Sequence, residues 1–303
     1  MRALYASVAT EKLVDAYPIL QGTNRNCAGG PTPWGTWLSC EEIEAGEVWE
    51  CDPTGRHEVT RRTALGRFRH EAATVDPLRQ CVYLTEDRPD GGLYRFTPKL
   101  YPDLSAGVLE IAQMMGNALE RRRRVIWHRV PNPNPTLVPF PPGLGETPTR
   151  YQVEKSTAFN GGEGIWFHQG FIYFATKGDS RIWVVDTAEA TIEVICDNNR
   201  SRPVLPDIDN LTVSDRADVL VACKNRDLMV VAITPGRRIV PVLEVLNQRQ
   251  SEIAGLAFGP DGRRLYFSSQ RGPGNDDGDS GITYEVTGPF GVNTANAGSG
   301  THV

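Results

Sequence analysis

A strand-rich pattern returns along this chain about every 45 residues, and that spacing restricts the fold more than any other feature. From Asn26 to Glu71 is 45 residues, from Glu163 to Asp209 is 46 and from Asp209 to Glu252 is 43. The step from Glu71 to Glu163 is 92, about two periods, because an insertion lies between them. Each unit reads as three short apolar runs separated by turns, as in residues 71–77, 81–87 and 93–96. Runs of this length rich in Val, Ile, Tyr and Phe are strands. Strand-rich units at this period are the signature of a β-propeller. The fold class is therefore all-β, a β-propeller with five units visible and two short strands ahead of the first. All 303 residues are assigned to one propeller domain, with an irregular insertion at about 100–155 and a loose tail at about 288–303. Within the insertion, residues 109–115 are expected to form a short helix, and the Pro-rich stretches near 131–142 are unsuited to central strands.

The first strand of a propeller blade lines the central channel. Glu71, Glu163, Asp209 and Glu252 each open a unit and are expected to converge at one end of it. Glu41, Glu42, Glu86 and Asp87 close second strands and can reach the same mouth. Carboxylates so crowded cannot all stay ionised without compensation, and bound cations provide it. Arg88, Lys177 and Lys224 also end second strands and are candidates to assist there as cations.

The stretch 26–42 (NCAGGPTPWGTWLSCEE) is too rich in Gly, Pro and Trp for a helix. It reads as a strand, a tight turn and a second strand that delivers Cys40, Glu41 and Glu42 at its end. Carboxylates suit calcium and iron, and a thiolate among them favours a transition metal in addition to calcium. With only five histidines, an imidazole-built zinc site is not expected. None of the six cysteines forms a C-x-x-C pair, and Cys51, Cys81 and Cys196 read as small core residues.

A net charge of -5 argues against a nucleic-acid partner, and no apolar run is long enough to span a membrane. The run Arg121 to Arg124 reads as a solvated face. The chain is expected to be a monomer. The first residues lack the regions of a signal peptide, so the chain as written is expected to stay in the cytoplasm.

The stretch 26–42, the Arg69-His70-Glu71 segment, residues 83–88 with 94–96, and residues 252–270 together resemble the PhoX-type alkaline phosphatases, over about residues 20–275. The resemblance implies a six-bladed propeller with calcium ions and a pair of irons at its axis. It implies hydrolysis of small phosphate monoesters, in proteins that are typically periplasmic or secreted. It makes Cys40 the iron thiolate ligand, Glu71, Asp87, Glu163, Asp209 and Glu252 carboxylate ligands, and Glu41 a further candidate. Relative to the family the chain as written is expected to be either a short member, lacking the upstream blade and export signal, or a truncated one. It carries Gly161 where the family is expected to place a phosphate-holding arginine. A calcium-dependent propeller esterase or lactonase, and a non-catalytic propeller stapled by metals, are the alternatives to this reading.

Overall fold

The computed structural model describes residues 2–7, 12–117, 119–137, 145–198, 205, 207–223, 228–248, 250–273 and 281–290. They form two compact units, Met1–Ser201 and Arg202–Val303. The described elements are 22 strands and two single turns of 3-10 helix. None of the described helices is long and apolar enough to cross a membrane.

In the first unit, β1 (Arg2–Ser7) pairs with β2 (Lys12–Pro18). The first blade is the sheet of β3 (Asn26–Pro31), β4 (Trp37–Glu41), β5 (Val48–Cys51) and β6 (Thr60–Arg61). The second contains β7 (His70–Asp76), β8 (Cys81–Glu86), β9 (Leu93–Leu100) and β10 (Asp103–Met115). After β11 (Arg122–Arg129), the third contains β12 (Gly162–His168), β13 (Phe171–Thr176), β14 (Arg181–Asp186) and β15 (Thr191–Asp197). In the second unit, a fourth blade holds β16 (Ile208–Val213), β17 (Val219–Cys223), β18 (Leu228–Ile233) and β19 (Ile239–Val245). A fifth holds β20 (Ile253–Phe258), β21 (Arg264–Ser269) and β22 (Ile282–Thr287). Every pairing is antiparallel between neighbours, and the fold is a β-propeller.

The hairpins follow from local chemistry. Asp76 Oδ1 accepts the backbone N–H groups of Leu78 and Arg79, at 2.9 and 3.0 Å, and Asp186 Oδ1 accepts those of Ala188 and Glu189, each at 3.0 Å. A carboxylate that bonds its own backbone two residues on fixes a turn. These two turns close the β7–β8 and β14–β15 hairpins.

The insertion is more regular than the sequence suggests. Residues 109–115, expected as a helix, lie in β10, which pairs with β9 on one side and β11 on the other. The apolar spacing of Leu109, Ile111 and Ala112 suits either period, so periodicity alone cannot decide. Pairing decides it: Glu110 stands opposite Arg95, and its carboxylate accepts from the guanidinium at 2.7 and 2.9 Å. β11 then pairs with β15 and joins the second and third blades into one nine-stranded sheet. Arg121 and Arg122, from the basic run, reach Glu193 of β15 at 3.2 and 3.3 Å.

Apolar faces of neighbouring blades bury one another. Between the first and second blades lie Leu38, Cys40, Val48, Ala73, Val82, Leu84, Tyr94 and Phe96, with Phe68 stacked on Tyr94 at 4.1 Å. Between the second and third lie Tyr83, Ile165, Ile172, Phe174 and Trp183. A separate core in the second unit gathers Leu220, Val230, Ile253, Leu265 and Phe267. Each Val, Leu, Ile or Phe among them contributes about 1.5–3 kcal/mol on burial. Cys51, Cys81 and Cys196 are buried, as core cysteines should be. The glycines of the opening stretch have a packing reason. β3 lies against β7, and a Cβ on Gly30 would sit 1.9 Å from the Ala73 carbonyl oxygen.

Candidate metal centre

A bulge in the first strand of each blade sets which side chains face the site. In β3 the register slips after the pair Asn26–Glu41, in β7 after His70–Glu86, in β12 after Gly162–Thr176 and in β16 after Ile208–Cys223. The residue that follows is Cys27, Glu71, Glu163 and Asp209 in turn. A bulge re-aims side chains and ends regular alternation. On the second strands, the residue after the same pair is Glu42, Asp87, Lys177 and Lys224. Lys224 lies outside the described residues. In the fifth blade the slip comes after the pair Ala254–Ser268, and no acid follows it. Glu252 falls ahead of it and pairs with Arg271 at 3.3 Å.

In the first unit these positions meet. Cys27, Glu42 and Glu71 each offer a ligand atom within 4.8 Å of the others, and Glu71 and Glu163 offer carboxylate oxygens at the same spacing. Glu71 belongs to both groups. Asp209, in the second unit, is buried in β16. Lys177 Nζ lies 2.7 Å from Glu163 Oε1 and 2.8 Å from Asp87 Oδ1. Arg69 contacts Glu42 and lies 3.3 Å from Asp87 Oδ2. Arg69 and Lys177 thus bring positive charge to Glu42, Asp87 and Glu163.

The charge states follow. Burial works to raise Glu42, but hydrogen bonds from Arg69, Asp87 and the Cys27 thiol hold it below the usual carboxylate range. Burial raises Asp87; Lys177 and Arg69 pull it back, Glu42 pushes it up, and the balance is upward. Burial lowers Lys177, but Glu163 and Asp87 outweigh it and keep the ammonium charged. His70, next to Glu71, faces the core instead. Its Nε2 donates to the Gly66 carbonyl oxygen at 3.0 Å, its ring packs on Phe68, and burial brings it down to about 3. It stays neutral at ordinary pH.

Alternation separates the three groups at the end of β4. Cys40 is fully buried among apolar side chains, and burial, with the Glu71 charge, raises its thiol well above the ordinary value. Glu41 spends its carboxylate on the backbone N–H groups of Asn24 and Glu47, at 2.9 and 3.1 Å. Glu42 alone joins the acid group. Glu86 repeats the role of Glu41 one blade on, accepting the Gly92 N–H at 2.9 Å, the Tyr94 hydroxyl at 2.8 Å and the Arg150 guanidinium at 3.0 Å. Arg88 ion-pairs with Glu44, and its carbonyl oxygen accepts the Gly161 N–H at 2.8 Å. Gly161 has φ +70°.

Sequence reasoning missed Cys27 and Arg69. The repeat carried a signal for the first. Cys27 precedes Glu42 by 15 residues, close to the 16 from Glu71 to Asp87 and the 14 from Glu163 to Lys177. The donor set fits metals on its chemistry: a thiol with carboxylates suits a transition metal such as iron, and carboxylates alone suit calcium.

A sequence profile of the family described as alkaline phosphatase PhoX matches residues 6–50 and 44–203. No curated protein matches the chain significantly. The chain is similar in structure to the crystal structure of a nidogen/laminin complex, with 12% identity over 89% of this chain and 81% of that one, at a TM-score of 0.55. It is similar to a protein of unknown function from Bacteroides thetaiotaomicron VPI-5482, with 12% identity over 89% and 59% of the two chains, at 0.53. Hydrazine synthase from Kuenenia stuttgartiensis gives 11% identity over 88% and 63%, at 0.51. The chain spans less than two thirds of the last two. At such identities these likenesses bear on the fold alone.

Proposed function

Because the chain belongs to the PhoX alkaline phosphatase family, we propose that it is a metal-dependent hydrolase of small phosphate monoesters, with its metal centre on the first three blades. The observation that carries this reading is the convergence of Cys27, Glu42 and Glu71 within 4.8 Å, with Glu163 beside Glu71. Cys27, Glu42 and Glu71 would hold a transition metal such as iron, and Glu71 and Glu163 supply oxygen donors of the kind calcium takes. A bound metal supplies Lewis-acid stabilisation of the charge that develops on the phosphoryl group.

The protein's own groups do the rest. Arg69 holds Glu42 and Asp87 in one orientation, so Glu42 is placed before anything binds. Arg88, one residue from Asp87, supplies the cation for the phosphate. Its partner Glu44 is 45% exposed, so the pair can open without leaving a buried charge behind. A guanidinium matches phosphate oxygens in a bidentate fork. Lys177, engaged with two acids, orients those acids rather than the ester.

The two cysteines separate this reading from the one the resemblance implies. Cys27→Ser is expected to lower the bound transition metal and the hydrolysis of an aryl phosphate together, with little change in stability, because Cys27 itself is exposed. Cys40→Ser puts a hydroxyl into an apolar cluster and is expected to cost about 1–3 kcal/mol while leaving the metal content unchanged. Elemental analysis and denaturant melts of the two variants decide it. Loss of metal with Cys40→Ser alone would return the thiolate role to Cys40.

A further inference from the structure

The third blade breaks the pattern of the first two at one position. The residue after the last second-strand pair is an acid in the first blade, Glu42, and in the second, Asp87. In the third it is Lys177. Its backbone N–H donates to the Gly161 carbonyl oxygen at 2.8 Å, which pins the start of the side chain. The stem then runs beside Gly161, where a Cβ would stand 2.9 Å from Lys177 Cγ, so the glycine makes room for this path. The ammonium ends between two carboxylates from different blades, 2.7 Å from Glu163 and 2.8 Å from Asp87. Those carboxylates have side-chain exposures of 2% and 6%. Two nearly buried acids facing each other need a positive charge between them.

We propose that Lys177 is a built-in counter-cation that takes the seat between Asp87 and Glu163 in place of a divalent cation, and so sets how many ions the first three blades hold. The inference rests on the metal-centre reading above, and it changes the role that the sequence gives to three residues. Asp87 and Glu163 share a side-chain ammonium between them rather than an ion, and Glu163 keeps its place beside Glu71. Lys177 is a positioning residue that keeps both acids in place whether or not the neighbouring group of Cys27, Glu42 and Glu71 is loaded.

The test counts ions. Wild-type protein, Lys177→Met and Lys177→Arg are stripped with a chelator and dialysed against calcium. Calcium per chain is then measured by elemental analysis, and melting temperature is recorded with and without calcium. Lys177→Met removes the charge and keeps most of the stem, so it is expected to bind one calcium more per chain than wild type. Its melting temperature is expected to rise more with calcium than the wild-type value does. Lys177→Arg keeps a cation and is expected to show the wild-type count. Equal counts in wild type and Lys177→Met overturn the proposal. A Lys177→Met chain that folds only with calcium supports it, because the ion then replaces the ammonium. If neither Lys177→Met nor Lys177→Gln folds even with calcium, no ion can take the seat and the proposal fails. Failure of the metal-centre reading shows separately, as a wild-type chain that binds no metal of any kind. An ion gained by Lys177→Met would still support the role of Lys177 in that case.

Discussion

Glu71→Gln is expected to release metal from the protein and to lower phosphomonoester hydrolysis on the order of a hundredfold or more. Among the described residues, Glu71 is the acid shared by the group of Cys27 with Glu42 and the group of Glu163. It is 3% exposed and sits at the bulge of β7, where the backbone rather than a flexible stem sets its direction. An amide of the same shape keeps the packing but gives up one anionic oxygen. Replacement of groups that only orient a ligand already costs about 10- to 100-fold in affinity or activity, so a direct ligand should cost at least as much. Glu41→Gln is the control. Glu41 was a metal candidate on sequence, but its oxygens accept from the Asn24 and Glu47 backbone. That change is expected to destabilise the chain by about 1–3 kcal/mol and to leave the metal in place. Metal content and kcat/KM of the two variants check the contrast. Equal metal loss in both would mean that the backbone anchoring at the end of β4, not Glu71 itself, governs the site.

Arg150→Met is expected to have the largest effect on stability, about 3–5 kcal/mol at neutral pH. Glu86 is fully buried and Arg150 nearly so, with Nη1 3.0 Å from Glu86 Oε1 and Nε 3.3 Å from Asp90 Oδ1. The pair ties residues 149–151 of the insertion to the turn after β8, which also carries Asp87 and Arg88. Burial raises the Glu86 carboxyl above its usual range, against the pull of Arg150. Without Arg150 it rises further. A carboxyl raised in the folded state contributes its full stability below the unfolded value, about 4.3, and loses it as pH climbs through the folded value. The deficit of the variant should therefore be largest near pH 7 and shrink towards pH 4, where Glu86 carries a proton in both states. Urea melts across that range measure it. A deficit that does not change with pH would mean that Arg150 acts through packing alone.

The repeat made the blades legible, because five units at one period admit few folds and the alternation within each marks its strands. Two things hid the site. The bulges shift register by one residue at the positions that matter, and apolar alternation carries no mark of them. Cys40 is the thiol the sequence puts forward; strand parity buries it, and the bulge in β3 presents Cys27 beside Glu42 and Glu71. The other barrier is distance along the chain. Lys177 reads as a free cation until Asp87 of the neighbouring blade is seen beside it, and Glu86 reads as a site acid until Arg150, 64 residues on, is found against it. Residues 109–115 are ambiguous for a related reason: their spacing suits both periods, and only the partners β9 and β11 settle it.

Metal content and aryl-phosphate hydrolysis, measured on one preparation before and after chelation, test the central claim most directly. The expected result is bound metal in the purified protein, hydrolysis lost in step with its removal, and recovery when calcium and iron are returned. Hydrolysis that continues after the metal is gone would contradict the account, as would a fully loaded protein that hydrolyses no phosphomonoester.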